Sequence, residues 1–179
     1  MMLVTHRGPF RFSERDDGRF EAIRGAGGVV SALLPVVESG DAAAAAGERV
    51  AWIAATFDDG DLAALAAGRA TVPGFDVHLV ALPPELHRLH YDVISNATLW
   101  FLHHGLFDLP RRPRFDEHFA AAWEAYVEVN RRFAQAVVEG ALDHETVLVH
   151  TTAASPGRGM ASRLTGVPRM CMARPAVSA

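Results

Sequence analysis

The sequence predicts an α/β domain built on a mainly parallel β-sheet. Three observations carry this. Short apolar runs at 2–5 (MLVT), 50–55 (VAWIAA), 76–82 (DVHLVAL) and 146–150 (TVLVH) have the length and β-branched content of buried strands. Segments with helical spacing separate them. Strands alternating with helices make βαβ units, because parallel neighbours need a long crossover between them.

Each element follows in order. After the strand at 2–5, residues 18–23 (GRFEAI) are expected to form a second strand as one arm of a hairpin. The stretch RGAGG at 24–28 then opens an apolar helix, 29–37, closed by the turn-rich ESGD. The strand at 50–55 is followed by DDGD and a short Ala/Leu helix, 61–68. The strand at 76–82 stops at Pro83 and Pro84, and proline suits the first turn of a following helix. The strongest signal is a helix over 115–139, where Phe119, Trp123, Tyr126, Asn130, Phe133 and Val137 recur at three- and four-residue steps. Asp116 and Glu117 sit in its first turn, where the helix dipole favours negative charge, and Gly140 ends it. Ala42–Ala46 is a biased run in a loop or helix start.

The 179 residues suffice for one domain with a sizeable core. Hydrophobic residues make up 50% and charged ones 21%, an ordinary globular composition. A net charge of −4 argues against nucleic acid as a partner, since such a protein carries a basic stripe. The one basic cluster, Arg111, Arg112 and Arg114 around Pro113, is expected to be a solvated loop. The lone cysteine, Cys171, cannot form an intramolecular disulfide and fits a reducing compartment. No apolar run reaches the roughly 20 residues of a membrane span, and MMLVTH lacks a basic leader region. The expected location is cytoplasmic, with no membrane partner.

In a parallel sheet, ligands bind just past the carboxyl ends of the strands. The segments to inspect are therefore 5–8, 54–57 and 150 onward. Arg7 follows the first strand, where a guanidinium can grip a phosphate through two parallel hydrogen bonds or serve as an ordinary surface arginine. Gly27 and Gly28 precede a helix whose free N–H groups suit an anion, although the same glycines also suit a plain tight turn. The spacing is not the G-x-G-x-x-G of dinucleotide binding, and no cofactor is expected. Tyr91 and Trp100, in YDVISNATLWFLHHG, suit either core packing or stacking on a sugar face. His103 and His104 are adjacent and cannot share a helix face, so no metal is expected.

The order of these features carries more than any one of them. An arginine after strand one and a GG loop come first, then W-I, SNATLW, WEAYVEVNRRFA and a strand ending in V-H. Residues 2–150 in this order resemble the N-terminal half of the trehalose-6-phosphate synthase family, retaining glycosyltransferases with two Rossmann-like domains in the GT-B arrangement. The resemblance implies transfer of glucose from UDP-glucose or GDP-glucose to glucose 6-phosphate, in trehalose biosynthesis. It implies that Arg7 holds the acceptor phosphate and that Tyr91 and Trp100 line the acceptor site. Gly27 and Gly28 would lie beside the donor diphosphate. Trp52 matches the first tryptophan of the family's W-x-G-W, but Ala54 and Ala55 replace its G-W. THR in place of the usual S-N-R is a milder departure.

The pattern breaks after His150, where the family continues with D-Y-H-L and this chain reads TTAASPGRG. Read from the third base of the His150 codon, the degenerate codons of Thr151 and Thr152 permit His then Asp, and those of Ala153–Ser155 permit x-Arg-Leu. The expected organisation is an acceptor-side domain over 1–150, a poorly ordered tail over 151–179 from a truncation or a frame shift, and no donor-binding domain. A native tail in a naturally short protein is the alternative. On this reading the chain alone is inactive. Two other functions fit the same residues: a pseudo-glycosyltransferase coupling cyclitols, suggested by W-I-A-A, and a non-catalytic sugar-phosphate-binding module.

Overall fold

The computed structural model describes residues 1–39, 50–106, 114–140 and 147–150, together with the backbone of 170–172. In chain order the strands are β1 (Met2–Thr5), β2 (Phe10–Glu14), β3 (Phe20–Arg24), β4 (Ala51–Ala55), β5 (Asp76–Val80), β6 (Val147–His150) and β7 (Met170–Met172). The helices are α1 (Gly28–Glu38), α2 (Asp59–Ala66), α3 (Pro84–Arg88), a π-helical stretch Leu89–Trp100, α4 (Phe101–His103) and α5 (Glu117–Gly140).

Five strands form one parallel sheet in the order β5-β4-β1-β6-β7. β1 is central, and Thr5 lies between Ala54 of β4 and His150 of β6. The pleat sends alternate residues to opposite faces. Met2, Val4, Ile53, Ala55, Val147 and Val149 pack under Val129, Phe133 and Val137 of α5. Leu3, Trp52 and Ala54 pack against Val30 and Leu34 of α1. Helices on both faces bury the sheet, which is why its strands read as continuous apolar runs.

The predicted second strand is β3, and its hairpin partner is β2, which pairs with it as a separate two-stranded sheet between β1 and α1. α2 packs against this hairpin. The predicted helix after Pro83-Pro84 is present and runs on, without a break, into the π-helical stretch. There the hydroxyls of Ser95 and Thr98 donate to the carbonyls of His90 and Val93, five residues back, both at 2.9 Å. Such widened turns are rare and cluster at functional sites.

α5 is where it was expected, and Tyr126, Phe133 and Val137 of its predicted face are buried, but Trp123 is not. Ala122 and Val129 are fully buried, whereas Trp123 is 44% exposed. Ile94 and Tyr126 account for the departure at Trp123, because the π-helical stretch packs on α5 beside Ala122. The small side chain lets the two helices approach, and Trp123 is displaced to the rim.

Most of the expected 151–179 tail lies outside the described residues, as do 42–46 and Arg111 and Arg112. Of the tail, 170–172 add the edge strand β7 beside β6. No described helix is long and apolar enough to cross a membrane.

Candidate functional site

At the carboxyl edge of β1 and β4 an open pocket of ≈ 190 Å³ is walled by the loop after β1, the hairpin and the loop after β4. Arg7, Arg11 and Arg24 line it, with Gly25, Ala55 and Phe57 among the remaining residues. This is the edge at which parallel sheets bind ligands.

Arg7 is held by its backbone rather than by its side chain. The Thr5 hydroxyl donates to the Arg7 carbonyl at 2.6 Å and accepts the Trp52 Nε1–H at 2.7 Å. Trp52 itself is buried, 2% exposed, and anchored among Leu3, Val30 and Leu34. A rigid core thus fixes the turn that presents Arg7. The guanidinium is exposed and lies over two rings, 4.9 Å from the Phe57 centroid and 5.7 Å from that of Tyr91. Ring faces attract cations without neutralising them. Among the described residues Arg7 has no carboxylate partner, whereas Arg11 faces Asp58 at 3.5 Å and Arg24 is paired with Glu38.

Asp61 joins the pocket walls. It is 1% exposed, and its two oxygens accept the N–H groups of Phe12 at 2.7 Å and Phe57 at 2.8 Å. Burial pushes its carboxyl above the ordinary value, against the pull of those two N–H donors. With both oxygens engaged, Asp61 is a bracket between hairpin and β4 loop and not a free base. Gly25 serves the same closure by being small: a Cβ there would sit 2.4 Å from the Gly8 carbonyl oxygen. Gly25 N–H donates to Pro9 at 2.8 Å, which draws the end of β3 onto the Arg7 loop.

Behind Arg7 lies a cluster that spacing arguments overlooked. His6 Nε2 is 3.1 Å from His87 Nε2, and the His6 ring stacks on Tyr91 (4.5 Å, 6°) and His90 (5.0 Å, 28°). His6 Nδ1 and both nitrogens of His90 are buried without a hydrogen-bond partner. Burial, then the neighbouring His90, His87 and Arg7, lower the His6 pKa from 6.5 to about 2. Burial, then His87, lowers His90 to about 4. Burial also lowers His87, with Asp92 opposing. All three are neutral at pH 7, so they support Tyr91 without adding charge beside Arg7. The signal was present as LHRLH: His87 and His90, three residues apart, share one helical face.

The predicted site residues fall into two groups. Arg7 and Tyr91 are brought together, and Gly27 and Gly28 lie one step beyond the pocket residues Gly25 and Ala26. Gly27 caps α1 with φ 142, a conformation that disfavours any side chain. Trp52 is not in the pocket lining; it is a core residue, because its ring faces α1. Trp100 packs on its own helix, its ring 4.2 Å from that of His104 and 4.9 Å from that of Phe101, and is 39% exposed. His150 ends β6 beside Thr5, half-buried. Phe57, Arg11 and Asp61 complete the pocket and were not singled out from sequence.

Residues 1–151 match glycosyltransferase family 20. The trehalose-6-phosphate synthase of Mycolicibacterium smegmatis is 32% identical over 149 residues, covering 83% of this chain and 26% of that protein. An alpha,alpha-trehalose-phosphate synthase [UDP-forming] of Aspergillus niger is 31% identical, with 84% and 26% covered. The chain therefore spans about a quarter of the curated relatives it matches. Among solved structures, that of trehalose-6-phosphate from E. coli bound with UDP-2-fluoro glucose superposes with TM-score 0.55 at 17% identity, covering 96% of this chain and 32% of that one. The alpha,alpha-trehalose 6-phosphate synthase of Burkholderia multivorans gives 0.56 at 19%, covering 96% and 33%. These likenesses establish a GT-B-type fold for the sheet and its helices. With the family match running from the first residue through β6, this chain belongs to glycosyltransferase family 20.

Proposed function

We propose that this domain is the acceptor half of a trehalose-6-phosphate synthase-type glycosyltransferase, binding glucose 6-phosphate with its phosphate on Arg7 and its sugar ring against Tyr91. One observation carries the reading: Arg7 stands in an open pocket, backed by ring faces and with no carboxylate partner among the described residues. A phosphate meets it without first displacing an ion pair. The family and its UDP-forming relatives support a nucleotide-glucose donor, with the helix start at Gly27 and Gly28 facing its diphosphate. The domain's contribution is positioning, which converts an encounter into a held geometry. Stabilisation of the leaving diphosphate falls to the part of the family that this chain does not span. A cytoplasmic location fits a phosphorylated acceptor.

The test is direct. Glucose 6-phosphate should shift amide resonances around Arg7, Phe57 and Tyr91 in the 179-residue chain, and glucose should not. Equal shifts from both sugars, or none, would overturn the reading. The same chain should form no trehalose 6-phosphate from UDP-glucose or GDP-glucose, because the family's cleft lies between two domains. A second reading is favoured by Ala55, which lines the pocket where the family motif has tryptophan and leaves it wider. Tighter binding of a cyclitol phosphate than of glucose 6-phosphate would select the pseudo-glycosyltransferase.

A further inference from the structure

We infer that Arg11 is a second guanidinium for the acceptor phosphate, held in reserve by Asp58; this rests on the reading of Arg7 as the phosphate arginine. Arg11 arrives from the hairpin, an element distinct from the loop that carries Arg7, yet both line one pocket. Both also lie over one ring: the Arg11 guanidinium carbon is 5.6 Å from the Phe57 centroid and that of Arg7 is 4.9 Å from it. Two cations converging on one aromatic platform repel each other unless an anion sits between them.

The counter-charge present is a poor one. Asp58 meets Arg11 at 3.5 Å, longer than the roughly 2.7–2.9 Å of a charge-assisted hydrogen bond. The two side chains are 46% and 42% exposed, so water screens the pair. Asp58 has a separate task, since its Oδ1 accepts the Asp61 N–H at 3.1 Å and caps α2. The third arginine differs: Arg24 is paired with Glu38 of α1 and is committed to holding the hairpin on that helix. Arg11 is thus the pocket cation free to exchange partners, and a phosphate dianion has the charge to engage it together with Arg7. A monoanion engages one of the two. The pocket therefore selects a sugar phosphate over a sugar carboxylate.

The experiment titrates the 179-residue chain with glucose 6-phosphate, glucuronate and UDP, following amide shifts and heat. Arg11→Ala should weaken glucose 6-phosphate binding roughly tenfold, with Arg11→Lys intermediate. The difference between glucose 6-phosphate and glucuronate should shrink with it. Asp58→Asn keeps the cap, because the amide oxygen still accepts the Asp61 N–H, and it removes the competing charge. It should tighten glucose 6-phosphate binding about two- to fivefold, a gain no purely structural role produces. If Arg7→Ala weakens binding while Arg11→Ala and Asp58→Asn leave it unchanged, this inference fails and the reading of Arg7 stands. If Arg11→Ala weakens UDP and spares glucose 6-phosphate, Arg11 belongs to the donor side and the inference fails. If the unaltered chain ignores glucose 6-phosphate, both are overturned.

Discussion

Mild acid should destabilise this domain, and the histidine cluster sets how much. His6 is held at about 2 and His90 at about 4, against 6.5 for an exposed imidazole. Both are bases with a depressed folded-state pKa, so the unfolded chain binds their protons first. Their contribution is present in full above pH 6.5 and is lost as pH falls below it, down to about 4 for His90 and about 2 for His6. Each histidine withdraws about 1.4 kcal/mol per pH unit inside its window, hence about 2 kcal/mol each by pH 5. The pair then takes about 3–4 kcal/mol between pH 7 and 5, a large part of the 5–15 kcal/mol typical of a domain. His87, also lowered, acts in the same direction. Asp61 opposes: its raised pKa stabilises the folded state as pH falls through it.

Urea unfolding at pH 7, 6 and 5, followed by tryptophan fluorescence and far-ultraviolet circular dichroism, measures this. A stability constant within about 1 kcal/mol over that range would refute the reasoning. The variant His90→Phe isolates the cause. Both nitrogens of His90 lack partners, so a ring without them forfeits no hydrogen bond and keeps the stack on Tyr126 at 5.5 Å. It should raise stability more at pH 5 than at pH 7 and flatten the profile by about 2 kcal/mol. An unchanged slope would mean that the cluster is hydrated and ordinary.

The remaining predictions concern the frame around Arg7. Asp61→Asn turns one of two accepting oxygens into a donor facing a backbone N–H, and should lower stability by about 1–3 kcal/mol in urea titration. Trp52→Phe removes the hydrogen bond to Thr5 and should lower stability by about 1 kcal/mol while weakening glucose 6-phosphate binding, although Trp52 is not in the pocket lining. Gly25→Ala drives a methyl into the Gly8 carbonyl; it should shift the amide resonances of residues 6–9 and lower glucose 6-phosphate affinity with the sheet intact, as seen by circular dichroism.

The sheet was legible because its strands are buried on both faces and read as unbroken apolar runs. The hairpin was half legible. In Phe10–Glu14 only Phe10 and Phe12 are buried, and Arg11, Ser13 and Glu14 make the segment look like a loop. The face of α5 was misjudged at Trp123 because periodicity marks large residues, whereas helix contact here needed the small Ala122. Arg7 was legible as the residue that follows a buried strand. The histidine cluster was not, since His6 and His87 are 81 residues apart and meet only when α3 folds over the β1 edge. Trp52 was legible as a motif position, whereas its burial and its hydrogen bond to Thr5 appear only in the fold.

The arrangement also explains why three histidines stand behind one arginine. An arginine without a carboxylate partner adds little to stability, and desolvating its neighbours would make matters worse if they were charged. Phe57 and Tyr91 offer it ring faces, and these attract the cation while leaving its donors open to a ligand. The rings must themselves be backed by something that fills space and carries no charge. His6 does this for Tyr91 at 4.5 Å, and His90, wedged between His6 and Tyr126, does it for His6. Aliphatic residues would fill the same volume. Imidazoles additionally couple the two sides of the site, because the His6–His87 contact ties the end of β1 to α3 at 3.1 Å. The same burial that keeps the cluster neutral makes the domain sensitive to acid. Protonating His6 would bury a charge without a partner beside Arg7, so the fold should loosen first around the Arg7 loop as pH falls.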